Sequence, residues 1–242
     1  IIRTVNNPNE RFYEDALRML RAFRFSSKLG FEIENNTLDA IKKNAELIKF
    51  VSIERIVNEF KKLLAGKGNL KSLELLIDSK LNSYIPFFEE VNEIQDLSSY
   101  SFCQSLYILS IINDISFEKL KFLKLSNKEI KLVKQFDLIN QEFKNNTQIE
   151  LILYKYNRED IKFICEYFGY DKEKNIDERI LIINSFNDID ITSQEIISTI
   201  NKNPGPWIKS ITLELEKEIL IGRLNNNKKD ILDFLSKLRD NI

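Results

Sequence analysis

The stretch Asn7-Pro8-Asn9-Glu10-Arg11-Phe12-Tyr13-Glu14-Asp15-Ala16-Leu17-Arg18-Met19-Leu20-Arg21-Ala22-Phe23-Arg24-Phe25 decides how the rest of the chain is read. Its spacing predicts one helix. Asn7 is a suitable N-cap, Pro8 is pre-set for the first helical position, and Glu10 completes an Asn-x-x-Glu capping box. At about 100° per residue, Arg11, Glu14, Asp15, Arg18 and Arg21 share roughly one third of the circumference. Phe12, Ala16, Met19, Leu20 and Phe23 fill much of the remainder. One face is therefore apolar, and the other interleaves carboxylates with arginines. Asp15 with Arg18, and Glu14 with Arg18, have spacings that pair on an exposed helix for roughly a few tenths of a kcal/mol. A solvated stripe of ion pairs is the simplest reading of that charge pattern. Against it, every cation in the stripe is arginine, whose planar fork suits nucleobase edges and phosphates.

Working outward, composition narrows the function classes. The 242 residues carry 36 Lys and Arg against 37 Asp and Glu, so no global basic field advertises a nucleic-acid partner. Local excesses are small: 12 cations against 9 acids in the first 65 residues, and 8 against 6 in the last 42. There is no histidine, which excludes histidine general bases, Ser-His-Asp triads and histidine metal ligands within these residues. Cys103 and Cys165 lie far apart in apolar helical patterns and read as buried free thiols of a reducing compartment, neither a disulfide nor a metal pair. No apolar run approaches the length of a membrane span and no signal-peptide pattern is present, so the expected location is the cytoplasm.

Taken in order, the chain opens on the β-branched run Ile1-Ile2-Arg3-Thr4-Val5, which reads as a strand with no partner strand downstream. A sheet-containing domain is therefore expected before Ile1. After Gly30-Phe31, Asn36-Thr37 can cap a helix to about Phe50. Ser52 caps another from Ile53 to Leu64, ended by Ala65-Gly66-Lys67-Gly68. From Leu70 the pattern stays helical. Ser98 to Asp114 is mostly apolar, Ser116-Phe117-Glu118 opens a short helix, and Ser126-Asn127-Lys128-Glu129 is a capping box for Ile130 to Lys144. Glu159 to Phe168 is a further helix, and Thr192-Ser193-Gln194-Glu195 caps one towards Ile200. Asn203-Pro204-Gly205-Pro206-Trp207 then makes a turn pinned by a core tryptophan, with Gly205 supplying a conformation denied to other residues. Asp188-Ile189-Asp190 has an Asp-x-Asp spacing, but it follows Asn187 and directly precedes a helix cap, so it reads as a solvated turn.

The order Ile2-Arg3-Thr4-Val5, Pro8, Arg11-Phe12, Glu14-Asp15, Arg18 through Phe25 and Leu29-Gly30-Phe31 resembles the neck motif of the class II tRNA nucleotidyltransferases (CCA-adding enzymes) and the related bacterial poly(A) polymerases. A lone Glu-Asp-x-x-Arg arises by chance on many helices; so many fixed positions in one order do not. Asn6-Asn7 replaces the usual Gly-Asp, and Asn tolerates the same left-handed turn and caps helices.

The resemblance implies addition of C, C and A to tRNA 3′ ends from CTP and ATP with no nucleic-acid template. Asp15 and Arg18 would present a Watson–Crick-like edge to the incoming base, and Glu14 would orient Arg18. A carboxylate accepts from the exocyclic amine of cytosine or adenine, and a guanidinium donates to ring acceptors. Uracil and guanine put a carbonyl in the amine's place, at a cost of roughly 1–3 kcal/mol. Arg21 and Arg24 would hold nucleotide or phosphate, although Arg24 projects off the Asp15 face; Arg11 is a supporting residue. Arg55 and Glu59 would brace the base-reading helix, the alternative being a plain surface ion pair four residues apart. The turn at Pro204-Gly205-Pro206-Trp207 and the run Ile219 to Asn226 are similar to the family's tail, where Lys202, Trp207, Lys209 and Arg223 would meet tRNA.

The fold expected is all-α: a neck (1–68, base recognition), a body (69–155) and a tail (156–242, tRNA binding) in an elongated array, with one residual N-terminal strand from a missing catalytic head. In the family that head carries a Gly-Ser signature, two aspartates that bind Mg²⁺ and an Arg-Arg-Asp-type motif. None of these occurs here, so no catalytic or metal-binding residue is expected in this stretch, and it should not transfer nucleotides alone. The partners implied are tRNA, ATP and CTP, with no membrane; the oligomeric state stays open, a homodimer being one option. Three rivals remain: a poly(A) polymerase, a CC- or A-adding enzyme, and a non-catalytic helical RNA-binding module.

Overall fold

The first long helix breaks at the residue that matters most. In the computed structural model, which describes residues 1–170 and 176–239, α1 (Pro8–Glu14) ends and α2 (Leu17–Leu29) begins across Asp15-Ala16. The single helix expected over this stretch is therefore corrected to two. Asp15 is extended, at φ −153° and ψ 99°, and its Oδ1 accepts the backbone N–H of Leu17 at 3.2 Å. Aspartate is among the best helix N-caps because its side chain competes for backbone N–H groups. That local bond is what a projection at constant helical pitch leaves out. Upstream, Asn7 caps α1 through Asn9 N, and Asn6 adopts the left-handed φ of 65°.

The N-terminal strand is also corrected. Ile2 makes an isolated parallel bridge to Ile33, with Ile2 N donating to Glu32 O (2.7 Å) and Glu34 N to Ile2 O (2.9 Å). Segment 1–5 thus has a partner downstream, though no strand or sheet forms among the described residues. All regular elements described are helical, as expected for an all-α chain. They are α3 (Asn35–Asn44), which passes into a 3₁₀ turn at Ala45–Phe50; α4 (Ile53–Leu64); α5 (Asn69–Asp78); α6 (Phe102–Ile112); α7 (Asn127–Lys144); α8 (Ile149–Lys155); α9 (Arg158–Phe168); α10 (Ser193–Ile200); α11 (Trp207–Leu220); and α12 (Lys228–Arg239). The capping boxes at Ser126–Glu129 and Thr192–Glu195 form as read. Both cysteines are buried free thiols.

The chain divides into two compact units, residues 1–137 and 138–242. In the first, α2 packs on α4 and α5 around Leu17, Met19, Leu20, Phe23 and Phe60, all essentially inaccessible to solvent. Phe60 and Phe88 stack with ring centroids 3.7 Å apart. The close approach of α2 to the end of α4 depends on Gly66. A Cβ there would lie 2.1 Å from Ser27 Oγ and 2.7 Å from Ser27 C. Ser27 Oγ donates to Leu63 O at 2.6 Å, and Gly68 N donates to Ser27 O at 2.9 Å, closing that junction.

In the second unit, α10, α11 and α12 share a core of Ile196, Ile200, Leu215, Ile219, Ile231 and Leu235, with Trp207 packed against it. Gly205 has no left-handed φ, contrary to expectation; that conformation falls to Asn201 (φ 56°), which ends α10. Asp188 and Asp190 are structural. Asp188 Oδ2 accepts Asn184 N and Ser185 N, and Asp190 Oδ2 accepts Lys228 N at the start of α12. Asn226 fastens the same loop, donating to Asp188 O and accepting from Asp190 N.

Candidate functional site

The break between α1 and α2 builds the site. Asp15 ends α1, and because its Oδ1 accepts Leu17 N its carboxylate stands at the α2 N-terminus, where a negative charge is favoured by the helix dipole. Arg55 on α4 reaches across to it, with Nη2 at 3.3 Å from Oδ1 and 3.1 Å from Oδ2. A carboxylate offers about four acceptor sites. Leu17 N and the two Arg55 contacts leave about one, and the Asp15 side chain keeps 24% of its surface exposed. The group is thus partly held and partly available.

Arg18 lies in the first turn of α2 and pairs with Glu14 Oε2 at 3.3 Å. Glu14 is shared: Arg11 Nη1 lies 3.0 and 2.8 Å from its two oxygens, and Arg11 Nε donates to Val5 O at 3.2 Å. Further along α2, Arg21 and Arg24 turn towards α4, where Glu59 lies only 4% exposed. The separations are 3.6 Å from Arg21 Nε and 2.9 Å from Arg24 Nη1. The Arg24 contact is close enough for an ion pair but is not aligned as a hydrogen bond. Arg24 also stacks its guanidinium 4.0 Å over the Phe25 ring. Its side chain is 15% exposed, whereas Arg21 stays open at 43%.

Arg55 and Glu59 therefore each face α2 or its cap. The structure brings Asp15, Arg55 and the Glu14–Arg18 pair to the α1–α2 break, and sets Arg21, Arg24 and Glu59 along the α2–α4 contact. Two hollows adjoin the break. One, about 400 Å³, is lined by Thr4, Val5, Arg11 and Arg18. The other, about 200 Å³, holds Tyr13, Glu14, Asp15, Phe50, Val51 and Arg55 among its walls. The exposed aromatics Tyr13 and Phe50 (85% exposed) border Asp15, and the sequence reading does not single them out. The signal was present in part: Tyr13 is an aromatic lying off the apolar stripe of its helix.

The tail residues are less convergent. Lys202 and Lys209 are exposed, at the turn and early in α11. Trp207 donates Nε1–H to Asn203 O at 2.8 Å and is half-buried. Arg223 follows the other end of α11, about 20 Å along at 1.5 Å per residue, and lies 3.6 Å from Glu218. Closeness in sequence to the turn does not bring Arg223 to it. Among the described residues no group of three or more Asp, Glu or Cys could hold a metal ion, and no helix is long and apolar enough to cross a membrane.

Residues 101–235, more than half of the chain, match the family model described as tRNA nucleotidyltransferase domain 2. This chain belongs to the tRNA nucleotidyltransferase family. Residues 30–92 match a second model, described as "Probable RNA and SrmB- binding site of polymerase A". Similar relatives include the CCA-adding enzyme of Staphylococcus epidermidis, 30% identical over 97% of this chain and 64% of the relative. That of Ligilactobacillus salivarius is 33% identical over 98% of this chain and 63% of the relative. The chain thus spans under two thirds of the length of these relatives. The solved structure of the Bacillus stearothermophilus CCA-adding enzyme in complex with CTP is 25% identical and superposes with a TM-score of 0.87, covering 99% of this chain and 66% of that one.

Proposed function

We propose that these residues are the nucleotide-selecting and tRNA-binding part of an enzyme that adds CCA to tRNA 3′ ends from CTP and ATP. The observation that carries the reading is the α1–α2 break. There a partly satisfied carboxylate, Asp15, and a carboxylate-steered guanidinium, Arg18, stand beside open hollows. The spare acceptor site of Asp15 takes the exocyclic amine of cytosine or adenine, and Arg18 donates to the ring acceptors. Arg55 keeps Asp15 from rotating away, and Glu59 with Arg21 and Arg24 holds α4 against α2. In this reading residues 1–68 form the base-reading neck, 69–155 the body, and 156–242 a tail whose Lys202, Trp207, Lys209 and Arg223 contact tRNA. The expected setting is the cytoplasm.

Mg²⁺ does not fit here: Asp188 and Asp190 are engaged by backbone N–H groups, and no other described cluster supplies ligands. No step of the reading runs through it in these residues. On their own they are expected not to transfer nucleotides. The similarity of residues 30–92 to a polymerase A model gives a poly(A) polymerase a specific claim as second reading. The test is incorporation of labelled CTP and ATP by the full-length protein on tRNA lacking its 3′ CCA. Ordered addition ending after one terminal A supports CCA addition. A long A tail selects the polymerase, arrest after CC a partial enzyme, and no incorporation a binding module.

A further inference from the structure

We propose that Arg11 is a positioning residue that sets the aim of Arg18 through Glu14, and so ties base choice to the extended segment before α1. The inference rests on the reading of Arg18 as a base-contacting group. Three observations carry it.

First, Glu14 serves two arginines with one carboxylate. Arg11 contacts both oxygens, at 3.0 and 2.8 Å, while Arg18 reaches Oε2 at 3.3 Å. The tighter, two-oxygen contact fixes the plane of the carboxylate, and Arg18 follows it. Second, Arg11 is anchored outside its own helix. Its Nε donates to Val5 O at 3.2 Å, and Val5 belongs to the segment pinned by the Ile2–Ile33 bridge and by Thr4 N donating to Thr37 Oγ1 at 3.3 Å. Arg11 spends different N–H groups on Val5 and on Glu14, which a guanidinium can do and an ammonium matches poorly. Third, Arg11 and Arg18 face the same hollow, with Thr4 and Val5 completing its wall, so a shift of segment 1–5 moves both arginines' surroundings at once.

The chain of contacts therefore runs from segment 1–5 through Arg11 and Glu14 to Arg18. A carboxylate held only by Arg18 would swing with it. Held by Arg11 as well, it presents a fixed counter-charge and a fixed direction for the guanidinium.

The experiment measures kcat/KM for CTP, ATP, UTP and GTP with the full-length protein on tRNA substrates. The variants are Arg11→Met, Arg11→Lys, Glu14→Gln, the Arg11→Met/Glu14→Gln double variant, and Arg18→Ala as reference. Arg11→Met is expected to lower discrimination against UTP and GTP about tenfold, with Arg11→Lys intermediate. The double variant should discriminate no worse than Glu14→Gln alone, because both changes cut the same chain of contacts. Full additivity would overturn the relay, since a residue acting only on stability has no reason to be silent in the Glu14→Gln background. Unchanged discrimination in Arg11→Met, with Arg18→Ala impaired, overturns the relay but leaves base reading intact. Unchanged discrimination in Arg18→Ala overturns both.

Discussion

At the residue scale, the informative groups are those whose charge is shared. Glu59 is 4% exposed and faces two arginines, one of them also largely buried. Removing its charge leaves Arg24 desolvated with no counter-charge, so Glu59→Gln is expected to destabilise the protein by about 3 kcal/mol. Urea unfolding checks this: a change under about 0.5 kcal/mol would mean that Arg24 finds another partner. The charge pattern alone reads as a solvated stripe of ion pairs, and the roles given to these residues come from the resemblance of the ordered motif to the family's neck. Their pairings were not legible. Asp15–Arg55 and Arg24–Glu59 join residues 40 and 35 apart, set by how α2 packs on α4, and no local pattern encodes such a distance. Arg24 shows the consequence. Its projection off the Asp15 face was visible in the sequence, but its burial against Glu59 needed the fold.

Elements tell a different story, since some of their ends are written in local chemistry. The Ser126–Glu129 and Thr192–Glu195 boxes were readable because capping depends on three or four neighbouring residues, whereas Ile53–Leu64 forms over the expected residues without a side-chain cap from Ser52. The break at Asp15 escaped because the same residue types satisfy a continuous helix and a capped one. The tertiary contact with Arg55 is consistent with the capped form. Gly66 likewise reads as a helix stop, yet its structural use is the approach to Ser27. Gly66→Ala must displace Ser27 backbone as well as its hydroxyl, and is expected to cost about 1–3 kcal/mol in chemical denaturation. An unchanged midpoint would show that the junction can open without loss. In the second unit, Asp190→Ala removes the acceptor for Lys228 N and should lower stability by about 1 kcal/mol, with no effect on the metal dependence of the full-length protein. An altered metal requirement would contradict the structural reading of the Asp-x-Asp turn.

Across the whole molecule, the acid response is shared by several carboxylates held below their ordinary range, among them Glu54, Asp96, Glu118, Glu142 and Asp230, and the two lowered furthest lie one in each unit. A hydrogen bond from Lys61 holds Glu129 down at about 2, aided by Ser126, and one from Lys228 holds Glu195 at about 2, aided by Thr192. Both folded values lie below the ordinary 4.5. Their stabilisation is therefore complete above about pH 4.5 and is lost as pH falls towards 2. Thermal unfolding followed from pH 6 to pH 2 should show its decline in that window, and Glu129→Gln should flatten it; an unchanged slope would remove Glu129 from the account. The all-α class was legible at this scale, whereas the middle of the chain offered only helical texture. The central claim, that Asp15 reads the exocyclic amine, is tested most directly by Asp15→Asn in the full-length protein. The amide turns one acceptor into a donor without changing shape. Measured as kcat/KM on tRNA ending before its CCA, UTP and GTP should gain relative to CTP and ATP by about tenfold or more. The same ratio in the variant as in the parent would contradict the account.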